Sequence, residues 1–571
     1  MRVFSCALVL LSACTSAPAE TPQAANPYET LRAAYAARDA AMAASAYAPD
    51  AQLIYEYDAT ETYSGTAEIQ SSFAALFEQI APEDRMDLNF RIAESTEAGT
   101  EIRERGIYRL RIGGDFSSYG RFETLRDAGT GRFKADTGTN ATLEAFEDLP
   151  GDVMFAADIE DLDRTYYGAL AGRYMLDDGC TLVVTQSVVR LFVRNTCTQD
   201  WRGLYRVSGR EWRSGATVLT DAMAVTYRFE GAEGAAPALL SITGAGSTMI
   251  ASRADTYVRE DITFTSADGT RLAGDLYRPA APAGAATVLI HGSGPQDRNG
   301  FASIMAVLAD ALAANGHTVL TFDKRGAGAS GGDGDRAGFG VLASDVAAAM
   351  DRVAAEPGVD SARIGVAGSS QAGWVAAKLI EQGASPAYVY LLGAAGTALT
   401  VPEQNLYNTQ VRMRCSGLAE PDIALALSQQ SAFFDFVTGK TDGAALDRIT
   451  REARAVPALA DWLFPASEEI DFTAGNWFTT LELGFDPLPV WRSYPGDARF
   501  VFAEHDDSTP TELAAARLAD IAGPGKSVQV SVLEDAQHLG LKAGGLCDAE
   551  LGTSTGFSAG LFPLLVPAGS P

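Results

Sequence analysis

The sequence predicts a multidomain protein whose C-terminal half is an α/β domain, preceded by an α+β domain and a small all-β domain. Three changes of pattern along the 571-residue chain carry this prediction. From residue 259, apolar strands alternate with Ala-rich helices, which is typical of a mostly parallel, doubly wound sheet covered on both faces. Residues 149–258 carry short strands separated by turns, and residues 28–148 carry helices followed by long strands.

The composition excludes several classes of partner and cofactor. The net charge is −29, from 44 Lys and Arg against 73 Asp and Glu. Phosphate binding needs clustered Lys and Arg, so nucleic acid is not expected as a partner. The chain has only four histidines and no Cys-x-x-Cys motif, so we expect no metal site and no cofactor.

The N-terminus predicts export and lipid attachment. Residues 1–13 carry one Arg and then a short apolar run that ends in small residues, as a signal peptide does. The last residues of this stretch, together with Cys14, resemble the bacterial lipoprotein box, in which the cysteine is lipidated. We therefore expect a lipid anchor at Cys14, a flexible tether over residues 14–27, and a periplasmic location, with the outer membrane as the expected anchoring surface. Membrane contact is expected only through the anchor, and the alternative is an ordinary signal peptide with a chance cysteine.

Four further cysteines would remain in the exported chain, and they permit three full pairings. We favour Cys180 with Cys197, which would close one local hairpin. The second favoured pair, Cys415 with Cys547, would tie an insertion to the C-terminal end. The first pair should stabilise the fold by roughly 3 kcal/mol through loop entropy.

The first folded domain is expected over residues 28–148. An Ala-rich helical pattern begins at Tyr28 and should end at Pro49-Asp50, and a second helix runs through Ile69 and Phe73. A meander of long strands follows. This order resembles the NTF2-like (SnoaL-like) family, whose sheet forms a cone wrapped by helices.

The resemblance implies a cone that holds a catalytic carboxylate or histidine in some members of the family. This segment has no histidine, and its candidate carboxylates fit helix caps and solvated faces better; they are Asp39, Asp50 and Asp58. We therefore expect a binding or assembly module, and the resemblance allows oligomers to form through it.

The stretch around Ser370 predicts a buried strand, a tight turn and a helix, with the serine held at the turn. A nucleophile on such an elbow needs small residues two positions before and two after it, because the strand and helix approach closely there. Ser370 places Gly368 and Ala372 at these positions, whereas Ser369 would place Gln371 at the crowded one. The sequence favours Ser370 as a nucleophile, and the alternative is an ordinary strand-to-helix turn.

A serine nucleophile needs a base and a group that orients the base. His538 follows an apolar strand and is expected to take the serine proton and return it to the leaving group. Asp506 follows an earlier strand and is expected to orient the imidazole, with Glu504 and Asp507 as alternatives. The other three histidines fit structural or loop positions better: His291, His317 and His505.

Two backbone groups are expected to bind the oxyanion that forms at the substrate carbonyl. A Gly-rich turn, Gly292-Ser293-Gly294, directly follows the buried strand that ends near residue 290. The N–H of Ser293 can point at the reacting carbonyl from this turn. The N–H of Gln371 lies at the positive end of the following helix and is the second expected donor.

These residues resemble the α/β-hydrolase superfamily, in which nucleophile, acid and base follow in the chain order Ser, Asp, His. The resemblance covers residues 259 to about 545 and implies a serine esterase acting on a small-molecule ester or acyl substrate. Further segments are similar to bacterial secreted esterases and acylaminoacyl-peptidase-like members: Asp297-Arg298 after the Gly-rich turn, Asp323-Lys-Arg325-Gly-Ala-Gly-Ala-Ser330, and Phe485-Asp-Pro487. Ala372 and Ala503 stand where glycine is commoner in the family.

Residues from about 398 to 490 interrupt the sheet pattern of this domain, which we expect to span 259–571. They are mostly helical with aromatic clusters, and we interpret them as a cap over the active site. Two alternatives to esterase activity stay open. The same three residues would serve an amidase or acylaminoacyl exopeptidase, and an inactive hydrolase fold would leave a binding lipoprotein that uses the NTF2-like domain.

Overall fold

The computed structural model divides the chain into two compact units, residues 1–157 and 158–571. The expected signal peptide and Cys14 lie outside the residues that the structure describes, as does the tether up to residue 26. No helix in the described part of the chain is long and apolar enough to cross a membrane. The described residues are 27–56, 60–80, 86–112, 116–140, 168–187, 190–208, 210–219, 225–231, 235–244, 246–473, 475, 477–548 and 553–566.

The first unit contains a mixed six-stranded sheet in the order β2-β1-β6-β5-β4-β3. Among the described strands of this unit, only β1 and β6 pair in parallel, and the helices pack their aromatic residues against one face of the sheet. The elements are α1 (Pro27–Ala37), α2 (Ala40–Ser45), β1 (Tyr47–Glu56), β2 (Thr60–Ser64), α3 (Gly65–Glu78), β3 (Met86–Ala98), β4 (Glu101–Ile112), β5 (Phe116–Asp127) and β6 (Phe133–Asn140).

The expected first helix differs from the structure in two ways. Arg38 adopts a left-handed φ of 54° and ends α1, and the Asp39 carboxylate caps α2 by accepting from the Met42 N–H. The expectation that Pro49-Asp50 ends a helix is wrong, because both residues lie inside β1. Proline has no N–H for a ladder, and the β1–β6 register is interrupted between Tyr47 and Gln52.

The second unit begins with a closed, antiparallel eight-stranded barrel, in the order β10-β11-β12-β13-β14-β7-β8-β9. A disulfide joins Cys180 to Cys197 in the β8–β9 region, as the sequence favours. The strands are β7 (Gly172–Leu176), β8 (Thr181–Gln186), β9 (Leu191–Asn195), β10 (Trp201–Ser208), β11 (Glu211–Ser214), β12 (Val225–Glu230), β13 (Leu239–Gly244) and β14 (Ser247–Arg253).

The barrel shares a hydrophobic core with the α/β domain, so the sequence boundary at 258 does not separate two compact units. Phe192 and Trp201 on the barrel lie in the same buried cluster as Leu289 of the α/β sheet. The C-terminal segment closes the contact, because the backbone N–H of Trp201 donates to the carbonyl of Thr555 and the rings of Trp201 and Phe557 lie 4.9 Å apart.

The α/β sheet has eight strands in the order β15-β16-β18-β17-β19-β20-β21-β22. The first two form an antiparallel hairpin, and the remaining six run parallel. The central strands are buried along their whole length, as a sheet covered on both faces requires. The strands are β15 (Tyr257–Thr265), β16 (Arg271–Pro279), β17 (Ala286–Ile290), β18 (Thr318–Phe322), β19 (Ile364–Ser369), β20 (Tyr388–Leu392), β21 (Asp497–Ala503) and β22 (Val528–Leu533).

Helices cover this sheet, and five of those described lie in the insertion between β20 and β21, where the sequence predicts a cap. A disulfide joins Cys415 at the end of the first insertion helix to Cys547 near the C-terminus, the second favoured pairing. The helices are α4 (Ile304–Ala314), α5 (Phe339–Ala354), α6 (Ala372–Glu381), α7 (Val401–Cys415), α8 (Glu420–Val437), α9 (Ala444–Ala453), α10 (Trp477–Thr480), α11 (Leu488–Ser493), α12 (Thr511–Leu518) and α13 (Leu561–Leu565).

Candidate active site

Ser370 lies on a strained turn between β19 and α6. Its φ is 56°, a left-handed conformation that is costly for a residue with a side chain. The packing shows why the residues two positions before and after Ser370 are small. A Cβ atom on Gly368 would lie 2.7 Å from the Cβ of Ala372 and 2.3 Å from the carbonyl oxygen of Ile290. Ser369 is buried within the strand, whereas Ser370 is partly exposed.

His538 is held by Asp506 on the neighbouring strand end. The imidazole Nδ1 lies 2.9 Å from Asp506 Oδ1 and 3.0 Å from Oδ2. The Asp506 carboxylate is fully buried, and Oδ1 also accepts the backbone N–H groups of Ser508 at 2.9 Å and Thr509 at 2.7 Å. Burial and these bonds fix the position of the carboxylate. The carboxylate in turn fixes the orientation of the imidazole through its Nδ1 atom.

The two alternative acids face other groups. Glu504 is exposed and accepts the backbone N–H of Asp535 at 3.0 Å. Asp507 accepts the hydroxyl of Ser508 at 3.0 Å. Neither forms a hydrogen bond to His538 within the described part of the chain, so the structure pairs His538 with Asp506 alone.

Two opposing effects act on the pKa of His538. Burial lowers the pKa, because the apolar surroundings disfavour the imidazolium. The charge of Asp506 and its hydrogen bond to the ring more than offset burial, with a smaller contribution from Asp507, so the pKa of His538 lies above its ordinary value. The pair therefore favours the imidazolium that forms when a base accepts a proton.

The order of the parallel strands brings Ser370 and His538 to the same sheet edge. β19, β20, β21 and β22 are neighbours, and their carboxyl ends carry the serine, Gly393, the acid and the base in turn. The Ser370 N–H donates to the carbonyl of Leu392 at 2.9 Å. Gly393 has a φ of 56°, and a Cβ atom there would lie 3.0 Å from Nδ1 of His538.

The Ser370 hydroxyl makes no hydrogen bond to His538 among the residues that the structure describes. Such bonds are often long or misaligned before a substrate binds and tighten in the complex. The arrangement therefore holds His538 in contact with Asp506, and it leaves the Ser370 hydroxyl free of a bond to His538.

The Gly-rich turn after β17 lies against the serine. A Cβ atom on Gly292 would lie 3.5 Å from the Cβ of Ser370. This contact brings Ser293, one of the two expected oxyanion donors, close to Ser370. Gln371, the other, caps the N-terminus of α6 with no side-chain hydrogen bond to that helix.

Lys324 joins the two residues that carry the expected donors. In the sequence, the signal for this contact is limited to a charged run after a buried strand. Its ammonium donates to the carbonyls of Gly292 and Gly294, both at 2.9 Å, and to Oε1 of Gln371 at 2.7 Å. Its backbone N–H donates to the carbonyl of Gln296 at 2.9 Å. Burial lowers the pKa of Lys324 to about 8.

The residues on either side of Lys324 form buried ion pairs. Asp323 Oδ2 accepts from Arg298 Nη2 at 2.8 Å, and Arg298 also contacts the Asp275 carboxylate at 2.6 Å. Arg325 Nη2 donates to Asp345 Oδ1 at 2.6 Å. The Asp297-Arg298 segment and the segment that begins at Asp323 therefore bind each other and fix the loops around the serine.

Two of the remaining histidines are buried in structural settings. His291 Nε2 lies 3.1 Å from the carbonyl oxygen of Asp297, and burial, with the charge of Lys324, lowers its pKa to about 4. His317 contacts Thr287 and Tyr388, and burial lowers its pKa to about 4 as well. Both positions agree with the structural interpretation of these residues from the sequence.

The insertion between β20 and β21 binds the loop that carries the acid. Three side chains on one face of α7 donate to consecutive carbonyls of that loop. Tyr407 donates to Asp506 at 2.9 Å, Asn408 to Asp507 at 3.1 Å, and Gln404 to Ser508 at 2.8 Å. The first helix of the insertion therefore holds the acid loop in place.

A cavity of about 560 Å³ opens beside the Gly-rich turn and the serine elbow. Lys324 and Gln371 line one side, and Trp477 of the insertion lines another. The aromatic residues of the insertion mostly pack against one another, as the rings of Phe433 and Phe464 do at 4.6 Å. Only part of the aromatic cluster therefore faces a possible substrate.

One group of potential metal ligands lies near the acid loop. Atoms of Glu504, His505 and Asp535 that are able to bind a cation lie within 4.8 Å of one another. Both carboxylates are exposed, and one oxygen of Glu504 already accepts a backbone N–H. Exposed acidic groups often cluster without an ion, so we assign no metal to this group.

Residues 287–543 match the model of the alpha/beta hydrolase family. The match covers β17 through β22, the insertion, and Ser370, Asp506 and His538. The second unit therefore contains an alpha/beta hydrolase domain. The search of curated proteins gave no match.

Several solved structures resemble about half of the chain. The alpha/beta hydrolase GrgF from Penicillium sp. sh18 is 22% identical over 49% of this chain and 91% of its own, with a TM-score of 0.33. The Pyrococcus furiosus esterase Pf2001 is 16% identical over 50% of this chain and 83% of its own, with a TM-score of 0.32. A thermophilic esterase from Thermogutta terrifontis is 18% identical over 49% of this chain and 92% of its own, with a TM-score of 0.30. Because these TM-scores lie below 0.5, we infer neither activity nor substrate from them.

Proposed function

We propose that the alpha/beta hydrolase domain is a serine esterase that cleaves carboxylic esters through an acyl-enzyme. The observation that carries the proposal is the strained Ser370 elbow beside His538 and the buried Asp506 at one sheet edge. A nucleophile, a base and a group that orients the base are the parts that acyl transfer needs.

In the first half of the reaction, Ser370 Oγ attacks the ester carbonyl carbon while His538 Nε2 accepts the hydroxyl proton. The C=O electrons move to the oxygen, and the N–H groups of Ser293 and Gln371 bind the resulting oxyanion. The intermediate collapses when the C–O bond to the alcohol breaks. His538 gives its proton to the departing alcohol, which leaves an acyl ester on Ser370.

In the second half, water attacks the acyl carbon and His538 accepts a proton from the water. The bond to Ser370 Oγ then breaks, His538 returns the proton to the serine, and the carboxylic acid leaves. Asp506 stabilises the imidazolium in both halves and keeps the Nδ1 proton on its own side of the ring.

Substitution of Ser370 tests the proposal. Ser370→Ala should lower kcat on p-nitrophenyl butyrate by about 10⁴- to 10⁶-fold, as loss of a triad nucleophile does. Ser369→Ala is the matched control one residue away. It should leave most of the activity, because Ser369 is a buried residue of the strand that precedes the turn. Turnover retained by Ser370→Ala would refute the assignment.

The bond that is cleaved needs a separate comparison. Wild-type protein should hydrolyse p-nitrophenyl esters faster than the matched acyl and aminoacyl p-nitroanilides. The opposite preference would turn the proposal into an amidase or exopeptidase with the same residues. A fluorophosphonate probe that fails to label Ser370 would instead indicate an inactive hydrolase fold.

A further inference from the structure

Lys324 is the point where the two loops that carry the expected oxyanion donors meet. The ammonium donates to Gly292, Gly294 and Gln371 at 2.7–2.9 Å. A lysine ammonium has three N–H donors, so these three bonds use all of them. Two of the acceptors belong to the Gly-rich turn, and the third belongs to the residue after the serine.

We propose that Lys324 is a positioning residue that sets the oxyanion hole by clamping the Gly-rich turn to Gln371. The proposal rests on the serine-hydrolase function above and assigns to this chain a working part that the three reacting residues do not include.

The covalent geometry of the turn gives the clamp its effect. The carbonyl of Gly292 and the N–H of Ser293 belong to the same planar peptide group and point in opposite directions. A cation that holds the Gly292 oxygen therefore fixes the direction of the Ser293 N–H. Because it also withdraws electron density from that carbonyl, it makes the N–H a stronger donor.

The clamp also restrains the second donor. Gln371 follows the serine directly, and its side-chain oxygen is bound to Lys324 at 2.7 Å. The Nζ atom of Lys324 therefore sets the distance between the Gly-rich turn and the start of α6. An oxyanion bound by both N–H groups needs that distance to stay constant while charge develops, which is why fixed donors accelerate acyl transfer.

The surroundings of Lys324 agree with a functional cation better than with a structural ion pair. Among the described residues, no carboxylate lies within ion-pair distance of the Lys324 Nζ. The charged residues on either side of Lys324 are already paired with other side chains. Asp323 is bound to Arg298, and Arg325 is bound to Asp345. A partly buried cation that has only neutral acceptors is costly to keep, so a purely structural role would be better served by an uncharged side chain.

Besides Asp323 and Arg325, the titratable groups described near Lys324 include His291, Asp333 and Asp335. His291 stays neutral over the working range, because burial and the charge of Lys324 lower its pKa to about 4. Asp333 and Asp335 line the shared cavity. With the pKa of Lys324 near 8, the clamp is charged at neutral pH and loses its proton in mildly alkaline solution.

Lys324→Met tests the proposal, with Lys440→Met as a control at an exposed lysine of the insertion. The Lys324 variant should lose about 10- to 100-fold in kcat on p-nitrophenyl butyrate while KM changes by less than about threefold, because misplaced donors weaken transition-state binding. In wild type, kcat should fall as pH rises through about 8, and this alkaline limb should be absent in Lys324→Met. Lys324→Arg, which stays charged, should recover part of kcat without the alkaline limb.

The results separate this proposal from the proposed function. If wild type neither turns over esters nor labels with fluorophosphonate at Ser370, the serine-hydrolase function fails. If wild type does both and folded Lys324→Met keeps its kcat, or only its KM rises, the clamp alone is overturned. Should Lys324→Met not fold, Gln371→Met decides, since it keeps the backbone N–H and removes one clamp bond. An unchanged kcat in that variant overturns the proposal, and a kcat loss with unchanged KM supports it.

Discussion

Gly393 allows a test of how closely His538 must be placed. Gly393 follows β20 with a φ of 56°, and a Cβ atom there would lie 2.7 Å from the carbonyl oxygen of His538 and 3.0 Å from its Nδ1. Both distances are shorter than normal van der Waals contact. In Gly393→Ala the imidazole or its backbone must therefore move by several tenths of an ångström or more, away from Asp506 or from the serine.

Two costs of this substitution have different sizes and different readouts. A left-handed Ala costs roughly 1–2 kcal/mol of stability relative to Gly. Displacement of a base by about 1 Å costs about 100-fold in rate, which equals about 2.7 kcal/mol of transition-state stabilisation. We expect Gly393→Ala to lose about 100-fold in kcat on p-nitrophenyl butyrate, together with a lower Tm.

Gly383→Ala is the matched control. Gly383 has a φ of 98° at the exposed end of α6, and a Cβ atom there would meet nothing within 4 Å. It should lower Tm to a similar degree and leave kcat within about twofold. Wild-type kcat in Gly393→Ala would contradict this prediction. An equal loss of activity in Gly383→Ala would also contradict it, because backbone strain would then explain the effect.

Two more predictions concern the base and the second disulfide. Since Asp506 raises the pKa of His538 and only the neutral imidazole accepts a proton, activity should fall as pH drops through a midpoint above the ordinary histidine value. Asp506→Asn should lower kcat by about 10⁴-fold, and an acid limb at or below the ordinary value in wild type would contradict the pairing. The Cys415–Cys547 disulfide closes a span of 132 residues, so Cys415→Ser with Cys547→Ser should destabilise the second unit by about 5 kcal/mol in the loop-entropy treatment. A Tm equal to that of wild type in thermal melts would count against it.

The α/β domain was largely predictable because its signals are local. Each buried parallel strand is a short apolar run, and each helix repeats small residues at helical spacing. The crowding around Ser370 is also local, since Gly368 and Ala372 lie two positions away on either side. Local patterns of this kind need no knowledge of distant contacts.

Elements that depend on distant contacts were harder to predict. Pro49 lies in a strand because β1 pairs with β6, more than eighty residues later in the chain. The barrel closes through the pairing of β14 with β7, which short strands alone do not distinguish from a sandwich. Its union with the α/β domain depends on Trp201 meeting Phe557, and no sequence pattern links these two positions.

The site shows the same division between local and distant information. The order of Ser370, Asp506 and His538 follows from which residues succeed apolar strands. The contact between Lys324 and Gln371 joins positions 47 apart and depends on the order β18-β17-β19. The available signal was the run Asp323-Lys324-Arg325 directly after a fully buried strand, since charged residues at the carboxyl ends of parallel strands commonly face a site.

The three consecutive charged residues after β18, Asp323, Lys324 and Arg325, each bind different partners. Successive residues of the extended chain point in different directions as they leave the sheet. Asp323 points to Arg298, which follows the Gly-rich turn. Lys324 points to the turn itself and to Gln371, and Arg325 points to Asp345 on α5. One strand end therefore fixes the base of the turn, its position against the serine elbow, and the helix behind it. A change at Asp323 or Arg325 should consequently affect folding before it affects kcat, whereas a change at Lys324 should do the reverse.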